Sequence, residues 1–226
     1  MDIIIHGCSG RMGRTLTEFI FDQSDCRVVC GVDTQSDAST PYPVYQDFAF
    51  VPSKADVVID FSHPSAIKEL LGWCILHNMP VVIATTGLGP EEHRIIQEAS
   101  RQIPVFQSAN MSLGINALCK ALPVISAVLG SEYDAGIFEM HHKYKKDAPS
   151  GTAYLLKDAL EGSCSAVTAL RIGTIPGEHT VVFAGPDEVI ELTHTAYSRR
   201  IFAAGALKAA AFLTGQKPGL YSMKDL

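Results

Sequence analysis

The densest concentration of reactive side chains is the segment Glu139-Met140-His141-His142-Lys143-Tyr144-Lys145-Lys146-Asp147-Ala148-Pro149-Ser150-Gly151-Thr152. Two histidines and three lysines, with Tyr144 among them, occupy the six positions 141–146 of a chain whose net charge is -6. The run then enters a predicted helix through Ser150-Gly151-Thr152, whose first N–H groups have no intrahelical partner. Cationic side chains beside free helical N–H groups form an anion site, suited above all to carboxylates. Histidine is also the side chain most easily poised as a general acid near neutral pH. Adjacent histidines on a strand point to opposite faces and no third ligand stands at metal-binding spacing, so no metal is expected.

A second constellation lies at the start of the chain. Gly7, Gly10 and Gly13 stand in Gly7-Cys8-Ser9-Gly10-Arg11-Met12-Gly13, directly after the apolar run Ile3-Ile4-Ile5 and at the opening of a helical pattern. A strand-to-helix turn stripped of side chains lets backbone N–H groups and the positive helix end approach a pyrophosphate. Asp33 follows Gly13 by 20 residues at the end of the second predicted strand, where a carboxylate accepts bonds from an adenosine ribose. Ala84-Thr85-Thr86-Gly87 and Ser108-Ala109-Asn110-Met111 close the fourth and fifth predicted strands. Small and polar residues at those carboxyl ends suit a nicotinamide ribose.

The elements that must position these residues follow from periodicity. Apolar runs at Asp2–His6, Arg27–Val32, Asp56–Phe61, Pro80–Thr85 and Pro104–Gln107 read as strands covered on both faces. Helical patterns at Arg11–Phe21, Pro64–His77 and Pro90–Arg101 lie between them, and Thr34–Lys54, with three prolines, reads as a shortened crossover without a helix. Alternating strands and helices predict an α/β, Rossmann-like, doubly wound parallel sheet. After about residue 110 the pattern changes. Ser112–Leu129 is a long helix with a kink expected at Pro123, followed by a strand at Gly136–His142 and a helix over Ser150–Glu161. Runs at Val167–Ile172, Thr180–Phe183 and Val189–Thr195, separated by Pro176-Gly177 and Gly185-Pro186-Asp187, suggest antiparallel hairpins. An alanine-rich helix, Ile201–Thr214, comes last. The expected organisation is a dinucleotide-binding domain over 1–111, completed by the C-terminal helix within 200–226. A second α+β domain over 112–199, with a mixed or antiparallel sheet, would bind substrate and mediate oligomerisation.

Composition narrows the function classes. With 18 basic against 24 acidic residues, nucleic acid and anionic membranes are not expected partners. Asp2 follows Met1, and the first apolar run ends at His6, so there is no signal-peptide pattern. Lys120 with Pro123, and Lys208, interrupt the later apolar stretches before the roughly 18 residues of a membrane span. The six cysteines are scattered without a C-x-x-C pair and suggest reduced thiols in a cytoplasmic protein. Neither G-x-x-x-x-G-K-[ST], nor G-x-S-x-G, nor Tyr-x-x-x-Lys occurs.

With these residues assembled, the chain resembles the dihydrodipicolinate reductase family, also called 4-hydroxy-tetrahydrodipicolinate reductases. Gly7 to Gly13 resembles its G-x-x-G-R-M-G opening, and Asp60-Phe61-Ser62, Thr85-Thr86-Gly87 and Ala109-Asn110 its nucleotide-domain landmarks. His141-His142-Lys143-Tyr144-Lys145 with Asp147 to Thr152 resembles its signature H-H-x-x-K-x-D-A-P-S-G-T; Gly177-Glu178-His179, Ser198-Arg199 and Phe202-Ala203 also fit. The resemblance implies NAD(P)H-dependent reduction of a cyclic dicarboxylate in the diaminopimelate route to lysine, by a homotetramer assembled through sheets of the second domain. It implies that His141 donates the proton with Lys145 as partner, and that His142, Ser150, Gly151 and Thr152 bind substrate. Gly7, Cys8, Ser9, Gly10, Arg11, Met12, Asp33, Ala84, Thr85, Thr86, Ser108, Ala109, Asn110 and Met111 would hold NADH or NADPH. Thr34 follows the acidic ribose ligand where NADPH-using members often carry Arg, which argues against a strong NADP preference. Two rivals remain: another two-domain NAD(P)-dependent dehydrogenase acting on an amino acid or semialdehyde, and a nucleotide-sensing module without catalysis.

Overall fold

Ile3, Ile4 and Ile5 are fully buried in β1 (Asp2–His6), as expected of a strand covered on both faces. A computed structural model gives the fold of residues 1–35, 40–52 and 54–226. Two compact units emerge: Met1–Met111 with Arg199–Leu226, and Ser112–Ser198.

In the first unit β1 is followed by α1 (Arg11–Phe21), β2 (Arg27–Val32) and the short β3 (Val44–Tyr45). The chain then recrosses to β4 (Val57–Asp60), α2 (Ile67–Leu76), β5 (Val81–Ile83), α3 (Pro90–Ala99) and β6 (Pro104–Gln107). The sheet order is β11-β6-β5-β4-β1-β2-β3, where β11 (Gly219–Tyr221) is the last strand, and every pairing is parallel. The strand order reverses between β1 and β4, the crevice where open α/β sheets bind ligands. Pro64 opens a turn of 3-10 helix over Pro64–Ala66, capped by the His63 ring on the Ser65 N–H, before α2 begins. The second crossover indeed has no α-helix among its described residues, though positions 36–39 and 53 lie outside them. It contains β3 and a 3-10 turn at Phe48–Phe50, held by Asp47 on the Ala49 N–H. The final helix, α6 (Arg200–Leu213), turns Ala203, Ala206, Ala209, Ala210 and Leu213 into this unit against α1, β4, β5 and β6. Small side chains allow that close packing.

The second unit opens with α4 (Leu113–Leu129), capped by the Ser112 hydroxyl on the Ile115 N–H. The helix runs on through Pro123, which removes one ladder donor but does not end it. Leu113–Glu132 is, among the described residues, the one helical stretch long and apolar enough to cross a membrane, with a mean hydropathy of 1.7. It nevertheless packs in this unit, turning Leu122 fully and Leu118, Ile125 and Leu129 partly into a core with Ile137, Leu156, Val181 and Phe183. The sheet consists of β7 (Asp134–His141), β8 (Cys164–Arg171), β9 (Glu178–Ala184) and β10 (Val189–Thr195), in the order β10-β9-β7-β8, with α5 (Gly151–Ala159) between β7 and β8.

The expected hairpins need correction here. β9 and β10 do form one across Gly185-Pro186-Asp187, but β8 pairs with β7 in parallel, and β9 takes the other side of β7. The α5 crossover returns the chain in the direction of β7. Pro176-Gly177 therefore belongs to a connection that passes from one side of β7 to the other.

Candidate functional site

The glycine turn of the first unit is a backbone structure. Gly7 has φ +78°, and a Cβ there would meet the Phe61 carbonyl at 2.7 Å. A Cβ on Gly13 would lie 2.2 Å from the Gly7 carbonyl oxygen. Gly10 caps α1 without a side-chain bond among the described residues. Asp33 reaches back from the end of β2, its carboxylate accepting the Ser9 N–H at 2.9 Å and the Gln35 N–H at 3.1 Å. Arg14 Nε donates to the Ser9 carbonyl. Cys8 is fully buried, its thiol pushed up by burial, so only its backbone faces the turn. Arg11 is exposed and Met12 half-buried.

The ends of β4, β5 and β6 lie along the same sheet edge. Thr85 is buried and donates its hydroxyl to Asp60 at 2.8 Å, while Ala84 is buried and Thr86 exposed. The other Asp60 oxygen, Oδ1, receives the Ser62 N–H and has His6 Nδ1 at 2.8 Å. Ser108 folds onto Asn110, accepting its N–H and donating to its carbonyl; Ala109 is exposed and Met111 buried. The His6–Asp60–Thr85 cluster bridges the strand-order reversal and had no role in the sequence argument. A glycine turn at the start of a helix, a carboxylate at the end of β2 and polar loops at the switch point fit a dinucleotide.

In the second unit, residues two apart on β7 share a face, and Glu139 and His141 are both buried. The Glu139 carboxylate accepts the Ser150 N–H at 3.0 Å and both Arg171 Nη groups at 2.7 and 2.8 Å, and is bonded to His141 Nδ1. Arg171 stands opposite His141 in the parallel β7–β8 register. Burying a lone carboxylate costs several kcal/mol, which a bidentate guanidinium and two further donors offset. Burial pushes the Glu139 carboxyl up, but Arg171, His141 and the Ser150 N–H outweigh it and hold it below the usual range. Burial pulls His141 below the usual imidazole range, with Lys145 and Arg171 acting in the same sense and Glu139 opposing. His179 meets the His141 ring edge-on at 5.0 Å between centroids, and burial carries it down to about 4, so it is neutral. The ligand atoms of Glu139, His141 and His179 lie within 4.8 Å of one another, and both oxygens of Glu139 are already engaged by Ser150, Arg171 and His141.

The stretch expected to bind an anion lies on the loop beyond His141. Lys145 Nζ bonds the Asp147 carboxylate at 2.9 Å, which also takes the Gly151 N–H at the start of α5. Burial raises the Asp147 carboxyl, yet these donors leave it below its ordinary value. A carboxylate thus already occupies the cationic corner that the sequence marks as an anion site. Gly151 is exposed, Thr152 half-buried, and His142 half-buried with Nδ1 unpartnered among the described residues. Ser150 is different. Its hydroxyl caps the Ala153 N–H and meets His179, its own N–H is on Glu139, and it is fully buried. It builds the site from both its hydroxyl and its main chain.

Sequence reasoning missed Arg171 and assigned no role to Glu139 or His179. A carboxylate two residues before a strand histidine was a usable signal; Arg171 becomes visible only through strand register.

Comparison with known proteins agrees with this architecture. Residues 1–111 match the family model "Dihydrodipicolinate reductase, N-terminus" and residues 114–226 the model "Dihydrodipicolinate reductase, C-terminus". The 4-hydroxy-tetrahydrodipicolinate reductase of Caldanaerobacter subterraneus subsp. tengcongensis is 46% identical, the match covering 99% of this chain and 97% of the relative. The Clostridium tetani reductase of the same name is 41% identical over 98% and 94%. Among solved structures, the dipicolinate-bound dihydrodipicolinate reductase of Paenisporosarcina sp. TG-14 superposes with a TM-score of 0.84 at 20% identity, covering 100% and 99% of the two chains, and so shares the fold.

Proposed function

The chain belongs to the dihydrodipicolinate reductase family, and from that membership we infer that it catalyses NAD(P)H-dependent reduction of 4-hydroxy-tetrahydrodipicolinate to tetrahydrodipicolinate, in the diaminopimelate route to lysine. The observation that carries the chemical reading is the buried His141, bonded through Nδ1 to an ionised Glu139 and followed by a corner that already grips a carboxylate.

The nicotinamide, when bound, supplies the hydride. The N–H groups of Gly7 to Met12 receive the pyrophosphate, Asp33 the adenosine ribose, and the loops Ala84–Thr86 and Ser108–Met111 the nicotinamide half. Asp33 bonds both ribose hydroxyls of NADH but repels a 2′-phosphate, and Thr34 supplies no cation to offset this, so NADH serves at least as well as NADPH. In the second unit, Lys145 and the N–H groups of Gly151 and Thr152 take a substrate carboxylate in place of Asp147, with His142 beside them. Once the 4-hydroxyl has left as water and hydride has added to the resulting unsaturated cyclic imine, the electron-rich ring needs a proton. Two bound carboxylates offset the burial and the neighbouring cations that hold His141 neutral, so its imidazolium becomes the donor. Ser150, expected as a substrate ligand, is also the cap that shapes this corner.

The unpaired edges of the second sheet, β8 and β10, and the exposed Phe138, Leu170 and Val189 support self-association through that unit, as a tetramer. Six free thiols accord with a cytoplasmic enzyme. The test is NADH oxidation by the purified protein with freshly prepared substrate, followed by nicotinamide absorbance and product identification. Stoichiometric, substrate-dependent oxidation is expected. Dinucleotide binding without turnover would favour a sensor, and turnover only with amino acids or semialdehydes would favour the rival dehydrogenase.

A further inference from the structure

We propose that Glu139, clamped by Arg171, is the positioning residue of this site: it holds Nδ1 of His141 and thereby makes Nε2 the working nitrogen. The inference rests on the reading of His141 as proton donor, and it adds which nitrogen acts and what fixes it.

The argument begins with lone pairs. A carboxylate offers about four acceptor positions. In Glu139, Oε1 takes the Ser150 N–H at 3.0 Å and Arg171 Nη2 at 2.7 Å, while Oε2 takes Arg171 Nη1 at 2.8 Å and bonds His141 Nδ1. All four are used inside the protein and Glu139 is fully buried. It therefore neither contacts substrate nor exchanges protons with solvent; its output is the orientation of His141. Arg171 keeps it anionic, so Nδ1 carries the proton in the neutral ring as well as in the imidazolium. Nε2 is the nitrogen left to gain and lose a proton.

The other ring nitrogen has a glycine as its neighbour. Gly177 lies beside Nε2, where a Cβ would stand 3.0 Å from that nitrogen. A side chain at position 177 would crowd the edge through which the ring must reach a ligand. Arg171 also ties the ring to the anion loop, since Nη2 donates to the Asp147 carbonyl at 2.5 Å. One guanidinium thus holds both the orienter of His141 and the loop carrying Lys145.

The charges facing His141 define the sign of each substitution. Glu139 on its own strand favours the protonated ring; Arg171 from β8 and Lys145 from the following loop oppose it, and the neutral His179 faces it from β9. Removing Glu139 should therefore make the imidazolium harder to keep, and removing Arg171 should make it easier.

The experiment is the pH dependence of kcat. Glu139→Gln is expected to move the alkaline limb, where the protonated histidine is lost, to lower pH by about one unit. At neutral pH kcat should fall about tenfold and recover as the medium is acidified, with substrate KM changed less than about threefold. Arg171→Gln, which leaves Glu139 with His141 and the Ser150 N–H, is expected to move the same limb upward. Opposite displacements support the proposal; no displacement, or displacement of both in one direction, overturns it. A purely structural role would lower kcat without moving the limb. A second readout needs neither turnover nor a variant that folds. Heteronuclear NMR of ring-labelled histidine in the wild-type protein should show neutral His141 protonated at Nδ1, and protonation at Nε2 would overturn the proposal. If His141→Gln were fully active, the proton-donor reading would fall, while the ring spectrum would still decide whether Glu139 sets the tautomer.

Discussion

The two units build their sites from opposite materials. At the end of β1 the first unit offers almost only main chain: glycines with no room for a Cβ, a helix start without a side-chain cap among the described residues and a single carboxylate reaching back from β2. At the end of β7 the second unit offers almost only charge: a buried glutamate, a bidentate arginine, two histidines in edge contact and a lysine on a carboxylate. A backbone cradle is uniform and tolerates changes in neighbouring side chains, provided nothing enters the space the glycines leave open. A charged cluster has no such tolerance, because removing one member leaves its partners buried and uncompensated. The first arrangement suits a large ligand held along its length, and the second suits one proton transferred at one atom.

The contrast can be broken most directly at its chemical end. His141→Gln should lower kcat about 10²-fold or more while the dinucleotide dissociation constant stays within about twofold. Retention of more than about a third of wild-type kcat would remove the histidine from the chemistry. At the other end, Gly13→Ala forces a methyl to within 2.2 Å of the Gly7 carbonyl. It should cost roughly 2 kcal/mol of stability and weaken dinucleotide binding at least about tenfold, with kcat at saturating cofactor largely preserved. Calorimetry and titration check both parts; an unchanged dissociation constant would mean the turn is not the cradle. Lys145→Ala should lower kcat and raise substrate KM by about fivefold each, since position and charge disappear together. A pure KM effect would restrict the lysine to anchoring.

Smaller still is the difference between cofactors. kcat/KM with NADH should equal or exceed that with NADPH, and an NADPH preference above about tenfold, or ~1.4 kcal/mol, would overturn the role given to Asp33 and Thr34. The smallest effect belongs to His77→Gln, outside both sites, where the ring rests on Trp73 at 4.4 Å. Steady-state constants within about twofold of wild type are expected there.

The same contrast explains what could be read in advance. β1, α1, β2, β6 and β10 begin and end where periodicity put them, because strands buried on both faces and an amphipathic helix write their environment into local sequence. The glycine turn was legible for the same reason: its spacing is local. The two-residue β3, stabilised by only two paired positions beside β2, carries no such signal. Nor did the sequence reveal that β8 runs parallel to β7, and with that register went Arg171, thirty positions from the histidine opposite it. Glu139 was in plain view two residues before His141, yet its meaning depends on a guanidinium brought in by another strand.

The return of α6 to the first unit bears on how the molecule comes to be made. Residues 112–198 form a continuous stretch with their own core, whereas the parallel sheet needs a helix and a strand that are synthesised only after that stretch is finished. The histidine cluster can thus form co-translationally, while the older part of the nascent chain waits with its apolar strands incompletely covered. Because such long-range closure is slow, the glycine turn, first to leave the ribosome, is among the last features to reach its final surroundings.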